Sequence, residues 1–357
     1  MTDRLDEYRR KRDATRTPEP VPRDRPVPSV GCRFVIQQHH ARSLHWDVRL
    51  ERDGVLVSFA VPRGLPRDRN RNNLAKHTED HPLEYLEFAG EIPAGEYGGG
   101  QMKIHDRGTY ETDKWRDDEI SVTFHGDRTA GRYVFFQTDG KDWMVRRMDP
   151  PEPGWEPMPE SVEPMLATAA AGLPADDSAW GYELAWGGRR TIAYVSGGRV
   201  RLVTDGTEVT SWYPEIRPLG DALAPTEAVL DGEIVAFDGT VVSGALLARR
   251  SAPRDAAAAR RAADRTPVQF LAYDLLWLEG HATEELVGYA QRRELLDGLS
   301  ITGDNWQTPP YFPGGGEFAL EAAAAQGLAG IVAKRLDSPY LPGRRSRLWR
   351  SIDSPPA

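Results

Sequence analysis

The sequence predicts two domains of different fold class, an all-β domain followed by an α+β domain. Three observations support this. Residues 1–149 contain short apolar runs separated by turn residues. Residues 165–357 mix such runs with alanine-rich helical stretches. Between them, residues 150–164 lie in a sixteen-residue run, DPPEPGWEPMPESVEP, with six prolines; proline fixes φ and removes a donor, so we expect a semi-rigid linker.

The first part contains six strand-like segments bounded by turn residues. They are RFVIQ, HWDVRLE, VLVSFAV, GQMKIHDRG, ISVTFHG and GRYVFFQT. Their length and spacing are typical of a compact β-barrel or sandwich. The second part contains the strand-like segments RTIAYVSGGRVRLVT, AVLDGEIVAF and VQFLAYDLLWL, with helices expected around Ala245–Ala263 and Glu317–Gln326.

The composition excludes several classes of protein. Cys32 is the single cysteine, so an internal disulfide and a thiolate zinc site are excluded. No segment approaches the roughly 18 uninterrupted apolar residues of a membrane span, and the N-terminus is charged throughout. We therefore expect no membrane anchor, no export signal and a cytoplasmic location.

The formal charge of -9 is unevenly distributed. Residues 1–149 carry 26 basic and 26 acidic side chains, which leaves 19 basic and 28 acidic residues in the rest of the chain. Because phosphate contacts dominate affinity for nucleic acids, the first part is the better candidate for contact with a polyanion.

The segment QHHARSLHWDVRL, residues 38–50, contains three of the eight histidines. Successive side chains of a strand point to opposite faces, so the apolar residues from Leu44 to Leu50 share one face. His45, Asp47 and Arg49 share the other face with Glu51. Two interpretations remain open here. The polar face is either an ordinary solvated surface or a metal site.

The residue types favour a metal site with phosphoryl chemistry. Imidazole and carboxylate ligands suit Mn²⁺ or Zn²⁺, and three protein ligands leave positions open for water and substrate. Arg49 has the planar fork that binds phosphate oxygens. Farther along, in TEDHPLEY, His81 and Tyr85 could donate to a phosphate, or His81 could protonate a leaving oxygen. GEIPAGEYGGG lacks the Lys-Ser/Thr ending of a P-loop and predicts tight turns.

Residues 4–148 resemble the 3'-phosphoesterase domain of bacterial DNA ligase D, the end-healing module of non-homologous end joining. The resemblance rests on LDEYRRKRDATRTPEP, the H-x5-H-x-D-x-R core from His39 to Arg49, AVPRGLP, TEDHPLEY and GEIPAGEYGGGQMKIHDRGTYE. It implies a Mn²⁺-dependent enzyme, with Zn²⁺ or Co²⁺ as alternatives. Such an enzyme removes a 3'-phosphate, often with a terminal ribonucleotide, and leaves a 3'-OH.

The resemblance also implies roles for individual residues. The implied metal ligands are His39, His45 and Asp47. The implied phosphate-contacting and essential polar residues are Arg49, His81 and Tyr85 in the core, Arg63 in AVPRGLP, and Arg12, Asp13 and Glu19 in the N-terminal segment. Gln38, His40 and Asn73 depart from the residues that the family often has at these positions. None of these departures removes an implied metal ligand.

Residues 165–352 resemble the adenylation, or nucleotidyltransferase, domain of ATP-dependent DNA ligases of the ligase D type. The resemblance rests on PMLA, VLDGEIVAF, FLAYDLLWLEG and GIVAKRLDSPYLPGRRSRLW. It implies an α+β nucleotidyltransferase-like fold. The chain ends at Ala357, and we expect it to lack the OB-fold domain that follows in such ligases.

The resemblance also implies that the ligase chemistry is lost. The family's K-x-D-G nucleophile corresponds to Ala185, and its acidic residue to Gly187. A methyl group has no lone pair, so covalent use of ATP is not expected. Thr204, Ala329, Ser351 and Asp353 replace the arginine, the glutamate and the two lysines that the family has at these positions. Glu233 and Lys334 match the family's residues. After Lys141 the only lysine is Lys334, so another nucleophilic lysine is not expected.

The function favoured by the sequence is metal-dependent healing of DNA or RNA–DNA 3' ends by a monomer with a catalytically dead ligase-like domain. Expected partners are Ku and other end-joining proteins, with association with the nucleoid during repair. One alternative is a non-catalytic adaptor that recruits such partners. An active ATP-dependent DNA ligase is the least favoured alternative, because Ala185 replaces the nucleophile.

Overall fold

The computed structural model describes residues 3–27, 31–283 and 287–354. The chain forms two compact units, residues 1–153 and residues 154–357. The boundary between them falls inside the predicted proline-rich linker.

The described residues of the first unit form one short helix, nine strands and one 3-10 helix. In chain order these are α1 (Asp6–Arg10), β1 (Arg33–His40), β2 (Leu44–Arg52), β3 (Val55–Val61), β4 (Asn72–His77), a 3-10 helix (Leu83–Glu87), β5 (Gly90–Ile92), β6 (Gly100–Trp115), β7 (Glu119–Gly126), β8 (Ala130–Asp139) and β9 (Asp142–Arg147). All six predicted strands are present. The short elements α1, β4, β5 and β9 were not predicted, because their few residues carry no clear apolar alternation.

Eight of these strands close into an antiparallel barrel. The strand order is β1-β2-β3-β4-β9-β8-β7-β6-β5, and β1 also pairs with β6, which joins the two ends of the sheet. Strand β5 continues the sheet beyond β6. The barrel interior holds aromatic side chains in edge contact, such as Phe34 with Phe124 and Phe59 with Trp143. The predicted all-β barrel is confirmed.

Strand β2 shows the predicted alternation, but its polar face is not solvated. Trp46 and Val48 point into the barrel with their cross-strand partners Val61 and Phe59. On the opposite, outer face, Asp47 and Arg49 are also buried, at 5% and 2% exposure. The interpretation of this face as an ordinary solvated surface is therefore wrong.

The outer face is covered by the N-terminal segment, residues 3–27, and by the 3-10 helix. Apolar side chains of these two segments and of strands β1, β3, β5 and β6 form a second core outside the barrel, made of Leu5, Tyr8, Val35, Val55, Leu56, Tyr85, Leu86, Ile92 and Met102. Burial on both sides of β2 forces each polar group of its outer face to find a protein partner.

The second unit combines fourteen strands with five α-helices in its described residues. The strands are β10 (Leu166–Ala169), β11 (Trp180–Leu184), β12 (Arg189–Ser196), β13 (Arg199–Thr204), β14 (Thr207–Glu208), β15 (Ala228–Asp238), β16 (Val241–Val242), β17 (Val268–Leu278), β18 (His281–Ala282), β19 (Thr302–Gly303), β20 (Trp306–Gln307), β21 (Phe312–Pro313), β22 (Gly330–Arg335) and β23 (Arg345–Asp353). The helices are α2 (Leu219–Leu223), α3 (Gly244–Ala248), α4 (Ala256–Arg265), α5 (Tyr289–Gly298) and α6 (Gly316–Ala325). Short 3-10 helices lie at Asp177–Ala179 and Thr210–Trp212.

These strands form two main sheets. One has the order β10-β23-β22-β11-β21, and the other has the order β14-β13-β12-β15-β17-β20-β19. A buried cluster contains side chains from both sheets, including Ile192, Val229 and Trp277 from the larger sheet and Trp349 from the smaller one. The predicted α+β class is confirmed.

The helix predicted over Ala245–Ala263 is two separate helices, α3 and α4. Residues 249–255 interrupt them, because Pro253 cannot continue an α-helix and Ala252 has a positive φ of 45°. Each helix then begins at its own N-cap. Ser243 Oγ accepts from Leu246 N, and Asp255 Oδ1 accepts from Ala258 N.

Residues 154–164 of the predicted linker are attached to the second unit. The backbone of Glu156 donates to Gly280 O and accepts a hydrogen bond from the Trp277 indole. Farther along, Val162 N donates to the Tyr194 hydroxyl. Among the helices of the described residues, none has the length and apolar character needed to cross a membrane.

Candidate metal centre

Three side chains that can bind a metal ion converge on the outer face of the β1–β2 hairpin. His39 is directly opposite His45 in the antiparallel register. The Asp47 carboxylate reaches both imidazoles, with Oδ2 3.5 Å from Nδ1 of His39 and Oδ1 3.8 Å from Nε2 of His45. One ligand atom from each residue lies within 4.8 Å of the other two. The structure therefore contains a possible metal site formed by these residues.

Backbone carbonyl groups determine which nitrogen each imidazole offers. Nε2 of His39 lies 2.8 Å from Gly98 O, and Nδ1 of His45 lies 3.0 Å from Ser43 O. A carbonyl oxygen only accepts, so these two nitrogens carry the protons. In the neutral form that binds a metal, the lone pairs then lie on Nδ1 of His39 and Nε2 of His45, the two nitrogens that face Asp47. Histidine ligands of metals commonly have this outer hydrogen bond.

The glycine-dense loop after β5 supplies the carbonyl that orients His39. Two successive turns shape it, with Glu96 N donating to Pro93 O and Gly99 N donating to Glu96 O. Gly98 has φ of 75°, a conformation that glycine adopts without strain. A Cβ at Gly99 would lie 2.8 Å from Pro93 O. The predicted tight turns are present, and they serve the metal centre through Gly98.

Arg49 holds the Asp47 carboxylate in place from inside the fold. Its Nη2 donates to Asp47 Oδ2 at 2.9 Å, while Nε and Nη1 donate to Gln37 Oε1 and Ser58 Oγ. Burial by itself would raise the pKa of Asp47, but the positive charge of Arg49 opposes this effect, and the pKa lies well below its usual range. Asp47 is therefore an ionised ligand.

The donor set fits a divalent metal of intermediate hardness. Two imidazole nitrogens and one carboxylate suit Zn²⁺, Mn²⁺ or Co²⁺, and three protein ligands leave coordination positions for water and substrate. The side chains of His39 and Asp47 are 6% and 7% exposed, whereas that of His45 is 20% exposed. The centre is therefore open to solvent on its His45 side.

A buried ion-pair network ties the N-terminal segment to this region. Arg12 pairs with Glu19 at 2.7 Å and with Glu79 at 3.0 Å, and all three side chains are at most 5% exposed. The Tyr85 hydroxyl also donates to Glu19, at 2.5 Å. Burial raises the pKa of Tyr85, so its hydroxyl remains a donor. Arg12, Glu19 and Tyr85, which the resemblance grouped, thus lie together.

His81 is a neutral acceptor in this network. Its Nδ1 donates to Glu79 O at 2.8 Å, so Nε2 has the lone pair that faces Arg12 Nη2 at 3.2 Å. Burial and the cations Arg49 and Arg12 hold the pKa of His81 well below its ordinary value. In this arrangement His81 has no proton to give from Nε2, and proton donation to a phosphate or leaving oxygen stays a prediction.

Asp13 and Arg63 do not join the buried cluster. Asp13 is exposed and accepts hydrogen bonds from the backbone and hydroxyl of Thr15, which closes a local turn. Arg63 is exposed on the segment after β3. Direct phosphate contact by Arg63, and by the buried Arg49, also stays a prediction.

Three residues of this region were not singled out by the sequence. Gln37 and Ser58 bind Arg49, and Glu79 binds Arg12. The signal for Ser58 was present, since it is the one polar residue inside the apolar run VLVSFAV. Glu79 lay in a quoted motif, but nothing in its spacing predicted a partner 67 residues away.

Backbone contacts hold the segment around Ala185 in the second unit. Ala185 follows β11, and its backbone donates to Gly330 O. Gly187 has φ of 71°, and the next residue, Gly188, donates its N–H to Glu233 Oε2 at 2.9 Å. The position at which the resemblance places the nucleophile is therefore held by backbone contacts, and its side chain is a methyl group.

Lys334 on β22 forms an ion pair with Glu183 on the neighbouring strand β11. Its Nζ lies 2.8 Å from Glu183 Oε2 and 3.9 Å from Asp274 Oδ2, and its side chain is 2% exposed. The Thr204 hydroxyl bonds to Thr191, and Ala329 O accepts from Ser354 N. Ser351 and Asp353 lie on β23, opposite Val332 and Gly330.

Comparison with known families matches both units. The family model described as "DNA Ligase D 3'-phosphoesterase domain" matches residues 37–137, and the one described as "ATP dependent DNA ligase domain" matches residues 164–352. The chain is 44% identical over 361 residues to the "Multifunctional non-homologous end joining protein LigD" of Mycolicibacterium smegmatis, covering 98% of this chain and 45% of that protein.

A more distant relative matches over nearly the same length of the chain. The protein of the same description from Pseudomonas aeruginosa is 31% identical over 405 residues, covering 97% of this chain and 46% of that protein. The chain thus spans about half the length of these relatives. A solved structure described as "mycobacterial DNA ligase D complexed with ATP and MES" is 36% identical, with a TM-score of 0.46, and covers 54% of this chain and 60% of its own.

We expect substitution of a proposed ligand to abolish tight metal binding. His39→Ala and Asp47→Ala each remove a ligand atom, so the Kd for Mn²⁺ measured by titration calorimetry should rise at least about 100-fold. His125→Ala is the matched control, because His125 faces Glu111 at 3.3 Å but is 49% exposed and lies outside the three-residue group. A comparable loss in the His125 variant would contradict this assignment.

We expect the Arg12 network to stabilise the first unit. Arg12→Met leaves Glu19 buried without its cation and leaves Glu79 with Lys11 alone, so the free energy of unfolding measured in urea should fall by about 3–5 kcal/mol. Arg16→Met is the matched control, because Arg16 pairs with Glu96 at 2.7 Å but is 67% exposed. Its effect should stay below about 1 kcal/mol. Equal effects of the two substitutions would refute the buried network.

Proposed function

Because the chain belongs to the ATP-dependent DNA ligase family and is homologous to the LigD proteins, we propose that its first unit is a metal-dependent DNA 3'-phosphoesterase. This enzyme removes a 3'-phosphate, and with it a terminal ribonucleotide, and leaves a 3'-OH. The observation that carries the proposal is the convergence of the His39 and His45 imidazoles and the ionised Asp47 carboxylate, whose ligand atoms lie within 4.8 Å of one another.

The first proposed step is binding of the terminal phosphate at the exposed side of the centre. His39, His45 and Asp47 hold the metal, for which we propose Mn²⁺. When bound, the metal supplies Lewis acidity to a phosphate oxygen. The side chain of His45 is partly exposed, so the phosphate approaches from that side. Arg49 keeps Asp47 oriented throughout, because three of its donors are bonded within the fold.

The N-terminal segment maintains the shape of this site. Arg12 and Glu19 bond to each other and to His81 and Tyr85, and the Tyr85 ring centroid lies 4.7 Å from the guanidinium of Arg49. We propose that these residues act on the reaction by holding the outer face of the barrel in one arrangement. This role would explain why the resemblance implies that Arg12 and Glu19 are essential, although they lie in the N-terminal segment and not on a barrel strand.

For the second unit we propose a ligase-like domain that forms no lysyl-adenylate. ATP and metal use belong to the family of this domain. Here Ala185 has no nucleophilic atom, and the single lysine of the unit is paired with Glu183. The amine of Lys334 is therefore engaged by a buried carboxylate.

The proposed setting is repair of DNA breaks by non-homologous end joining in the bacterial cytoplasm, on DNA or RNA–DNA 3' ends. Ku and other end-joining proteins are the proposed partners, and the proposed state is a monomer. An adaptor without activity is less well supported, because a scaffold does not need three metal-binding side chains that converge on one point. The domain limits proposed for this chain are residues 1–149 and 165–357, joined by residues 150–164, of which 154–164 pack with the second unit.

We expect Mn²⁺-dependent release of phosphate from a primer-template that ends in a 3'-phosphate. His45→Ala removes one ligand, so the rate of release followed by gel electrophoresis should fall at least about 100-fold. His125→Ala should keep the full rate. No release by the unsubstituted protein, or full release by the His45 variant, would reject the phosphoesterase.

We expect no transfer of AMP from ATP to the protein. Incubation with α-labelled ATP and Mg²⁺ or Mn²⁺, followed by denaturing electrophoresis, should leave the chain unlabelled, because Ala185 cannot attack phosphorus. An active ATP-dependent DNA ligase serves as the positive control. Labelled protein would contradict the proposal, and loss of that label in Lys334→Met would identify Lys334 as the acceptor.

A further inference from the structure

Tyr97 is an exposed aromatic residue at the edge of the candidate metal centre. It occupies the first central position of the turn closed by Gly99 N and Glu96 O. The side chain is 48% exposed. Its neighbour Gly98 provides the carbonyl that lies 2.8 Å from Nε2 of His39. Because adjacent Cα atoms are about 3.8 Å apart, Tyr97 stands beside the proposed ligands.

The loop that carries Tyr97 is fixed by contacts to the N-terminal segment. Arg16 pairs with Glu96 at 2.7 Å. Lys11 Nζ lies 3.3 Å from the Tyr97 hydroxyl and 4.7 Å from the ring centroid. The guanidinium of Arg12 is 5.4 Å from the same centroid. The ring is therefore placed in a cationic environment, and almost half of the side chain remains open to solvent.

This combination suits a nucleobase. A 3'-phosphate held at the centre has its own nucleoside attached, and the base of that nucleoside must lie within a short distance of the phosphate. An enzyme that heals ends of any sequence needs a contact that does not depend on base identity. Stacking on an aromatic ring meets this need, since every base has a π face.

We propose that Tyr97 binds the 3'-terminal nucleotide by stacking on its base. This inference rests on the proposed phosphoesterase activity and adds the base of the terminal nucleotide as a recognised part of the substrate. Tyr97 is a substrate-binding residue in this arrangement, and the bond to the leaving oxygen is broken at the metal centre.

The test compares two substrates that differ only in the terminal base. One primer ends in a 3'-phosphorylated deoxyadenosine, and the other in a 3'-phosphorylated abasic residue on the same template. Tyr97→Leu removes the π face but keeps an apolar side chain. Its KM in the presence of Mn²⁺ should rise about 5- to 100-fold for the base-containing end and stay unchanged for the abasic end. The unsubstituted protein should prefer the base-containing end by a similar factor.

Two further variants separate stacking from a structural effect. Tyr97→Phe keeps the ring and loses the contact with Lys11 Nζ, so it should retain the preference for the base-containing end. Leu74→Ala alters a residue of β4 that is 43% exposed, and it should leave both KM values unchanged. A Tyr97→Leu effect that is equal on both ends would show damage to the metal centre and overturn stacking.

A direct binding measurement completes the test. A primer with a 3'-terminal 2-aminopurine should lose fluorescence on binding to the unsubstituted protein and keep it with Tyr97→Leu. Turnover by the unsubstituted protein with no effect of Tyr97→Leu on either readout would overturn the stacking inference alone. Absence of turnover on both ends would instead remove the phosphoesterase, and the inference would fall with it.

Discussion

The buried ion pair between Arg49 and Asp47 is the interaction on which the first unit depends. It lies on the outer face of β2, which the N-terminal segment removes from solvent. A buried guanidinium is costly unless its donors are satisfied, and here Asp47, Gln37 and Ser58 satisfy them. The carboxylate that neutralises Arg49 is also the proposed ligand, so the same contact stabilises the fold and presents an ionised oxygen to a metal.

The sequence predicted the part of this arrangement that depends on strand geometry. A period of two places His45, Asp47 and Arg49 on one face, and that face was identified before the structure. It did not predict that the face is buried, because the cover comes from residues 3–27, whose polar composition gives no sign of a core. Nor did it predict the carbonyl of Gly98, which reaches His39 across 59 residues.

In the second unit, unlike the first, the predicted fold is present but the expected catalytic side chain is not. In the second unit, backbone contacts hold Ala185 and Gly188 in place, and a buried ion pair holds Lys334. The apolar strand and helix patterns of the sequence predicted the α+β fold of this unit, because that fold depends on apolar residues and the chain contains them. The proposed loss of adenylation depends on the side chain of Ala185 alone, and the fold does not require a lysine at that position.

The central claim is that the fold orients both imidazoles toward Asp47 before any metal binds. Nitrogen-15 NMR of the histidine side chains in chelator-treated protein, at about pH 8.5 where an ordinary imidazole is neutral, tests it most directly. We expect His39 to carry its proton on Nε2 and His45 to carry its proton on Nδ1. Finding the same tautomer for both residues, or rapid exchange between tautomers at either one, would contradict the account.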